Sequence, residues 1–133
     1  MHVADIMRTD LKTISAEATV ADAVAALALA RVSAMPVLDR HGRAVGICTT
    51  RDVLLAESRC ENPDARERLF ETTLVLEIMT SWPETIAPDA DLRAAARKML
   101  DHGVQRLFVS DGGELVGVVS QTDIVDAVAA ARI

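Results

Sequence analysis

Apolar residues recur along the first half of the chain at two spacings, one helical and one extended. Val20, Val24 and Leu27 lie three or four residues apart, which predicts a helix with one apolar face. Two short apolar runs bounded by turn residues follow, at positions 34–38 and 44–48. Such a pair of runs predicts two strands joined by a hairpin. The apolar residues after position 49 predict a closing helix.

The second half of the chain repeats this order of elements. Matching residues recur at one constant spacing as far as the hairpin, and at a spacing one residue shorter after it. A hairpin turn is where a one-residue deletion costs least, so the shift supports the alignment. The matching positions are Ile6-Met7 with Ile78-Met79, Thr13-Ile14 with Thr85-Ile86, Val37 with Val109, Val45-Gly46 with Val116-Gly117, and Asp52 with Asp123.

A short extended segment is also expected before the first helix of each copy, around Lys12-Thr13-Ile14 and Glu84-Thr85-Ile86. Each copy is therefore predicted to be a β-α-β-β-α unit. A unit of about 50–55 residues rarely supplies enough core by itself, whereas two such units packed sheet to sheet would. We expect an α/β (α+β) fold made of two repeats, residues 1–56 and 74–133. The intervening residues 57–73 are expected to form a helical connector, with a helix beginning at Asn62-Pro63.

Charge and composition exclude several classes of protein. The 14 Lys and Arg residues against 20 Asp and Glu give a formal charge of −6, and only 2% of residues are aromatic. Because nucleic-acid binding relies on basic patches and aromatic stacking platforms, no nucleic-acid partner is expected. The sequence has no apolar run of the ~20 residues that a membrane-spanning helix needs. Its first residues carry no secretory pattern, so we expect a cytoplasmic protein without a membrane partner.

Catalytic and metal-binding chemistry has little support in the sequence. Cys48 lies in an apolar run, where a small core residue is favoured over a nucleophile or a metal ligand, while Cys60 is expected to be exposed. The three histidines have no metal-ligand spacing, and no motif pairs a nucleophile with a base. We therefore expect neither a metal site nor an enzyme.

One pattern with chemical content closes each copy, at a predicted strand-to-helix junction. A hydroxyl residue followed three residues later by an acid is a capping box, which stabilises a helix by ~1 kcal/mol without any ligand. A helix N-terminus also attracts phosphate, an Asp can accept from two ribose hydroxyls, and a Gly lets a ligand approach the backbone. Both interpretations stay open, because a duplication copies caps as well as binding sites. The pattern comprises Gly46, Thr49 and Asp52 in the first copy and Gly117, Ser120 and Asp123 in the second.

Together these features resemble a tandem pair of cystathionine β-synthase (CBS) domains, known as a Bateman module. The resemblance rests on the duplicated unit, the Ile-Met opening, the segment Met35-Pro36-Val37-Leu38-Asp39 and the Gly-x-x-Thr/Ser-x-x-Asp ending. It covers nearly the whole chain, from about Ala4 to Ala130. The resemblance implies two repeats packed sheet to sheet about a pseudo-two-fold axis, with two clefts that bind adenosine-containing ligands.

The family pattern also implies which residues would bind such a ligand. Thr49 and Asp52 would contact phosphate and ribose at one cleft, and Ser120 and Asp123 would do so at the other. The adenine base would lie between the first short strand and the strand before the hairpin. Residues expected there are Thr13, Ile14, Met35, Pro36 and Val37 in the first copy, and Thr85, Ile86, Leu107, Phe108 and Val109 in the second.

Three positions bear on how closely each copy follows that pattern. Phe108 stands where the first copy has Pro36, and its ring could stack on a base or fill the cleft. Arg106 is equally compatible with pairing to a phosphate and with an ordinary surface position, and Arg51 more often belongs to a solvated helix start. AMP, ADP and ATP are favoured over S-adenosylmethionine or NAD. Since cations are few, the triphosphate is less favoured than AMP or ADP.

Two functions follow as competing hypotheses. The first is a stand-alone regulatory module that binds an adenosyl ligand and transmits a conformational change to a separate effector protein. The second is a ligand-free homodimerisation module whose Thr/Ser-x-x-Asp elements are only helix caps. Apolar residues on more than one face of the closing helices predict a homodimer in either case. Trp82 is expected to pack in a loop, at a subunit contact or over a cleft.

Overall fold

The computed structural model describes residues 1–81 and 84–131, and the predicted roles of Trp82 lie outside this described part. It confirms a mixed α/β fold in which each repeat contributes a small sheet and its helices. The elements, in chain order, are α1 (Val3–Ile6), β1 (Ile14–Ser15), α2 (Val20–Ala30), β2 (Ala34–Leu38), β3 (Ala44–Thr49), α3 (Thr50–Ser58), α4 (Pro63–Thr72), α5 (Val75–Ile78), β4 (Thr80–Ser81), β5 (Thr85–Ile86), α6 (Leu92–His102), β6 (Arg106–Asp111), β7 (Glu114–Ser120) and α7 (Gln121–Ala131).

The chain forms two compact units that are offset from the sequence repeats. The first-repeat unit is Lys12–Pro83, and the second-repeat unit combines Glu84–Ile133 with Met1–Leu11. The first eleven residues, which we expected within repeat 1–56, therefore pack with the second repeat. The expected connector 57–73 and the start of repeat 74–133 pack with the first.

The first-repeat unit contains a four-stranded sheet in the order β1-β2-β3-β4. Strand β1 runs parallel to β2, β3 pairs antiparallel to β2 across the predicted hairpin, and β4 adds to the free edge of β3. The core beneath this sheet is built from aliphatic side chains of the sheet, α2 and α5. Its buried members are Ile14, Ala16, Ala23, Leu27, Met35, Val37, Cys48 and Val75.

The second-repeat unit contains a three-stranded sheet in the order β5-β6-β7. Strand β5 is parallel to β6, and β6 and β7 form the predicted hairpin. Arg8 makes a single antiparallel bridge to Val118, at the edge of β7 that matches the position of β4 on β3. The buried core of this unit consists of Val3, Ala95, Met99, Leu107, Val109, Val119 and Ile124.

Local sequence signals explain where the longer helices begin and end. The Thr19 side chain caps α2 in a reciprocal box with Asp22, and Asp91 caps α6. Asn62 caps α4, which starts at Pro63 as predicted. Gly103 ends α6 in the left-handed conformation with a φ of 64°, and the residue that ends α2 adopts the same conformation although it is an arginine.

Two one-turn helices, α1 and α5, escape prediction from periodicity. Each spans four residues, too few for a repeating apolar spacing to be recognised. Each nevertheless buries one valine completely, Val3 in α1 and Val75 in α5. These side chains are core members of the unit that the helix joins. Helices α1 and α5 therefore anchor the two exchanged segments, residues 1–11 and residues 74–81, each of which packs in the unit of the other repeat.

Candidate functional site

The two Thr/Ser-x-x-Asp motifs form capping boxes in the structure. The Thr49 backbone N–H donates to Asp52 Oδ2 at 2.9 Å, and the Asp52 N–H donates to Thr49 Oγ1 at 3.1 Å. Ser120 and Asp123 exchange the same two hydrogen bonds, at 3.0 and 3.1 Å. The capping interpretation is therefore realised at both junctions, and any ligand must bind to groups that these caps leave available.

The second carboxylate oxygen of each aspartate contacts the exchanged segment of its unit. Asp52 Oδ1 accepts a hydrogen bond from the Thr80 hydroxyl at 3.0 Å. Asp123 Oδ1 lies 3.4 Å from Arg8 Nε, so the matching contact in the other unit is an ion pair. These contacts join residues 28 and 115 positions apart, and no local motif signals them.

The helix starts offer a limited set of donors to a phosphate. The Thr50 N–H already donates to the Ser33 carbonyl oxygen, and the Gln121 N–H to that of Gln105, both at 2.9 Å. The capping hydroxyls accept from the third helical N–H, but each keeps its own O–H as a donor. A carboxylate accepts about four hydrogen bonds, so each aspartate retains capacity for a sugar diol.

The residues expected around the base do not all present side chains. Thr13 is exposed, and Ile14 pairs with Val37 in the parallel β1-β2 ladder. The side chains of Met35 and Val37 are completely buried in the first core, and that of Leu107 in the second. The apolar wall that we expected these three side chains to supply to a ligand is therefore part of the protein interior. Pro36, between the two core residues of β2, is also buried.

In the second-repeat unit, polar side chains that the sequence analysis missed form a cluster beside β5, the strand that corresponds to β1. Thr85 is exposed and Ile86 half-buried, and they pair with Phe108 and Val109. The Lys98 ammonium donates to the Thr85 carbonyl oxygen. Glu84 lies 3.5 Å from Lys98 and 3.1 Å from the His102 ring. The helical spacing of Lys98 and His102, one turn apart, is the only signal in the sequence that could have indicated a shared partner.

The structure shows where the side chains of Phe108, Arg106 and Arg51 lie. Phe108 is only 1% exposed, so its ring is not an open stacking surface. Arg106 is the cross-strand partner of Ser120 in the β6-β7 ladder, which puts the two side chains on one face of the sheet. Arg51 is exposed on the first turn of α3.

Both motif glycines are required by the packing of the fold. A Cβ added at Gly46 would lie 2.7 Å from both Met79 Sδ and the Thr80 carbonyl oxygen. A Cβ at Gly117 would lie 2.7 Å from Met7 Sδ and 3.0 Å from the Arg8 carbonyl oxygen. Each glycine thus admits the exchanged chain segment, since any side chain would collide with it.

Other candidate chemistry is limited in the described residues. Cys48 is fully buried, and burial, together with the nearby negative charge of Asp52, raises the pKa of its thiol to about 11, which makes it unreactive. Across residues 1–81 and 84–131, no three His, Cys, Asp or Glu side chains cluster as metal ligands would. In the same residues, none of the helices has the length and apolarity needed to span a bilayer.

Comparison with protein families matches both repeats. A family model described as the CBS domain matches residues 3–59 and again residues 75–130. The two matches coincide with the duplication found in the sequence and together cover most of the chain.

Relatives of similar length and much larger enzymes both match the chain. The CBS domain-containing protein YhcV of Bacillus subtilis is 30% identical over 122 residues, which cover 92% of this chain and 81% of YhcV. The homoserine O-acetyltransferase of Methanohalophilus mahii is 32% identical over 125 residues, 93% of this chain but only 24% of the enzyme. The chain spans about a quarter of that enzyme, so the acetyltransferase activity is not carried over.

Solved structures agree with the fold over nearly its full length. CBSX2 of Arabidopsis thaliana in complex with AMP superposes with a TM-score of 0.80 and 26% identity, covering 99% of this chain and 98% of CBSX2. The CBS domain pair of protein MJ0100, in complex with 5′-methylthioadenosine and S-adenosyl-L-methionine, gives a TM-score of 0.77 and 25% identity. It covers 96% of this chain and 99% of that domain pair.

Proposed function

This chain belongs to the CBS domain family, and from that premise we propose that it is a regulatory module that binds an adenosine-containing ligand. The observation that carries the proposal is the pair of equivalent hydroxyl-carboxylate motifs, Thr49 with Asp52 and Ser120 with Asp123, each at a strand-to-helix junction. The AMP complex of CBSX2, similar to this chain over nearly its whole length, supports the choice of ligand class.

We assign the ligand contacts from the groups that remain available after folding. The Thr49 and Ser120 hydroxyls donate to phosphate, and the Asp52 and Asp123 carboxylates accept from the two ribose hydroxyls. Because the neighbouring strand side chains are in the cores, the base is recognised mainly through backbone groups. The residues that we assign to the base on this proposal are Thr13, Ile14, Met35, Pro36 and Val37 in the first-repeat unit, and Thr85, Ile86, Leu107, Phe108 and Val109 in the second.

AMP is the favoured ligand, followed by ADP and ATP, with S-adenosylmethionine next and NAD last. The AMP complex of CBSX2 supports the first choice, and the complex of the MJ0100 domain pair keeps S-adenosylmethionine among the candidates. A separate effector protein recognises the ligand-bound conformation of the module. The ligand can shift a conformational equilibrium only by the difference between its affinities for the two states.

Calorimetric titration tests this function directly. AMP, ADP, ATP, S-adenosylmethionine and NAD are titrated separately into the purified chain at one salt concentration. We expect saturable binding of at least AMP, with a change in hydrogen-exchange protection at the two motifs. If none of the five ligands binds, the adenosyl-binding function is wrong and the motifs are only caps.

A second candidate function, homodimerisation, is favoured by an exposed apolar face in the first-repeat unit. A cavity of about 370 Å³ between α2 and α3 is lined almost entirely by aliphatic side chains. The corresponding helices of the second repeat, α6 and α7, also expose large aliphatic residues. Covering such surfaces with a second copy of the chain removes apolar area from water. The exposed residues on these four helices include Val24, Leu54, Leu55, Leu100, Val125 and Val128.

A further inference from the structure

Arg8 and Thr80 occupy equivalent positions in the two repeats, each directly after an Ile-Met pair. Both lie in exchanged segments that reach the edge of a sheet next to the Gly of the binding motif. The Arg8 backbone exchanges two hydrogen bonds with Val118, at 2.9 and 3.0 Å. Thr80 is the register partner of Ile47 on β3. The backbone thus delivers these two side chains to matching places, where one is cationic and the other neutral.

The Thr80 and Arg8 side chains contact the carboxylates of Asp52 and Asp123, which we assigned to ribose, with different electrostatic consequences. Thr80 gives Asp52 a neutral hydroxyl donor, which brings no positive charge to the carboxylate. Arg8 gives Asp123 a positive charge at 3.4 Å. A phosphate close to an uncompensated carboxylate is repelled, and a guanidinium between them removes that repulsion and adds donors.

The Arg8 guanidinium is also free to reach a ligand. Its side chain is 74% exposed, whereas that of Asp123 is 10% exposed, so the ion pair opens to solvent on the arginine side. Arginine has five N–H donors in a planar fork, and the pair with Asp123 uses Nε. The terminal nitrogens match a phosphate bidentately, the geometry in which arginine binds phosphate best.

A second cation lies at the same motif and has no counterpart in the first-repeat unit. Arg106 is the cross-strand partner of Ser120, the residue assigned to phosphate. In the first-repeat unit, Ala34 stands opposite Thr49 at the equivalent place. Arg51 is the cation nearest along the chain to the first motif, and it projects from an exposed helical turn.

We infer that Arg8 is a specificity-determining residue. It makes the Ser120–Asp123 motif prefer a ligand that carries a phosphate, and this preference is weaker at the Thr49–Asp52 motif. The inference rests on the proposed adenosyl-binding function and deepens it. The Ser120–Asp123 motif takes the phosphorylated ligand, AMP or a higher adenine nucleotide. The Thr49–Asp52 motif tolerates the uncharged nucleoside, because no arginine within residues 1–81 and 84–131 forms an ion pair with its carboxylate.

The test replaces Arg8 by the residue that stands at the equivalent position of the other repeat. AMP and adenosine are titrated calorimetrically into the unmodified chain and into Arg8→Thr, at low and at moderate salt. We expect Arg8→Thr to weaken AMP binding at one site by about tenfold, the loss of one charge-assisted phosphate contact. Adenosine binding should stay within about twofold, and the salt dependence of AMP binding should decrease.

Arg40→Thr is the matched control. Arg40 is also 74% exposed and also forms a surface ion pair, with Glu17 in the first-repeat unit, so the charge change is identical. It should leave the ratio of AMP to adenosine affinity unchanged. The reciprocal variant Thr80→Arg should raise the AMP affinity of the other motif.

The outcomes separate the two proposals. If the unmodified chain binds AMP but Arg8→Thr weakens AMP and adenosine equally, Arg8 only positions Asp123 and this inference is wrong while the proposed function stands. The same conclusion follows if Arg8→Thr and Arg40→Thr behave alike. If the unmodified chain binds neither compound, both the proposed function and this inference are wrong.

Discussion

Thr49 and Asp52 hold each other by two reciprocal hydrogen bonds, of 2.9 and 3.1 Å, across the first turn of α3. This box stabilises the helix whether or not a ligand is present. It also fixes the hydroxyl and the carboxylate in one orientation, which lowers the entropic cost of binding a ligand to them. The contributions to stability and to binding can therefore be separated by substitution.

Asp52→Asn should weaken AMP binding by at least tenfold while changing the free energy of unfolding by about 1 kcal/mol or less. The asparagine oxygen can still accept the capping hydrogen bond, so the loss for folding is that of one charge near a helix N-terminus. The ribose diol, in contrast, loses a charged acceptor. Calorimetric titration measures the first quantity and urea denaturation the second.

Asp22→Asn is the control for this prediction. Thr19 and Asp22 form the same reciprocal box at the start of α2, at 3.1 and 3.2 Å, outside the binding motifs. This variant should show a similar small loss of stability with unchanged AMP affinity. Equal affinities for the unmodified chain, Asp22→Asn and Asp52→Asn would show that the Asp52 box is only a cap.

Gly46→Ala should destabilise the protein by about 1–3 kcal/mol, the range for inserting atoms into a filled space. The new Cβ would meet the Thr80 carbonyl oxygen at 2.7 Å, and this backbone atom cannot move without breaking the β3-β4 pairing. Thermal and urea denaturation measure the loss. Shortening Met79 to alanine in the same chain should not restore stability, since the backbone collision remains.

Gly117→Ala should cost less than Gly46→Ala. Here the backbone oxygen, that of Arg8, lies at 3.0 Å, and the closer contact at 2.7 Å is the flexible Met7 side chain. In a double-mutant cycle, Gly117→Ala should therefore cost less stability in a Met7→Ala background than in the unmodified chain, although Met7→Ala is itself destabilising because Met7 packs against the core. Two alanine variants as stable as the unmodified chain would contradict the role of both glycines.

Only one of the two cysteines should react quickly with a thiol reagent in the folded protein. Cys48 is fully buried and its thiol pKa is raised to about 11, whereas Cys60 is half-buried at the end of α3. An aromatic disulfide reagent at pH 8 should label one thiol per folded chain. After denaturation it should label two thiols per chain. Cys60→Ser should abolish the fast phase. Rapid labelling of that variant would show that Cys48 is accessible.

Stability should fall as the pH rises through the window from 9 to 11. The folded protein holds the Cys48 proton up to about pH 11, whereas the unfolded chain releases it near the ordinary pKa of 9.0. The unfolded state is therefore favoured progressively across this window. The chain has no tyrosine to titrate there. The difference between the urea midpoints at pH 8 and at pH 10.5 should be smaller for Cys48→Ala, which lacks this dependence, than for the unmodified chain.

Self-association should depend on the aliphatic residues of the closing helices. Light scattering at tens of micromolar should give a dimer for the unmodified chain, and Leu54→Lys, at a position 65% exposed, should shift it towards monomer. Leu76→Lys is the control, because Leu76 is 48% exposed on α5 rather than on these helices. A monomeric unmodified chain would contradict the homodimer.

The sequence predicted those features whose chemistry is local. The caps at Thr19, Asp91 and Asn62 and the left-handed Gly103 depend on residues within one helical turn, so the pattern contains them. The hairpins also follow from short apolar runs and turn residues. The family and the mixed fold were predicted because duplication supplies every such signal twice.

The exchanged segments and the environment of the candidate site could not be predicted in this way. The partner of Asp123 lies 115 positions away, and a capping motif carries no information about so distant a contact. Met35, Val37 and Leu107 were expected to supply an apolar wall to a ligand, whereas their side chains lie in the cores. An apolar residue on a strand buried on both faces fits either face, so the pattern alone cannot assign it to the core.

The exchange of segments sets an order for assembly during synthesis. Residues 1–11 are synthesised before residues 84–131, yet the two segments belong to the same unit. The first-repeat unit, residues 12–83, is one continuous stretch of chain, so it can fold before residues 84–131 are made. Until the second repeat is made, the core that buries Val3 does not exist, so residues 1–11 must wait for residues 84–131 before they can pack.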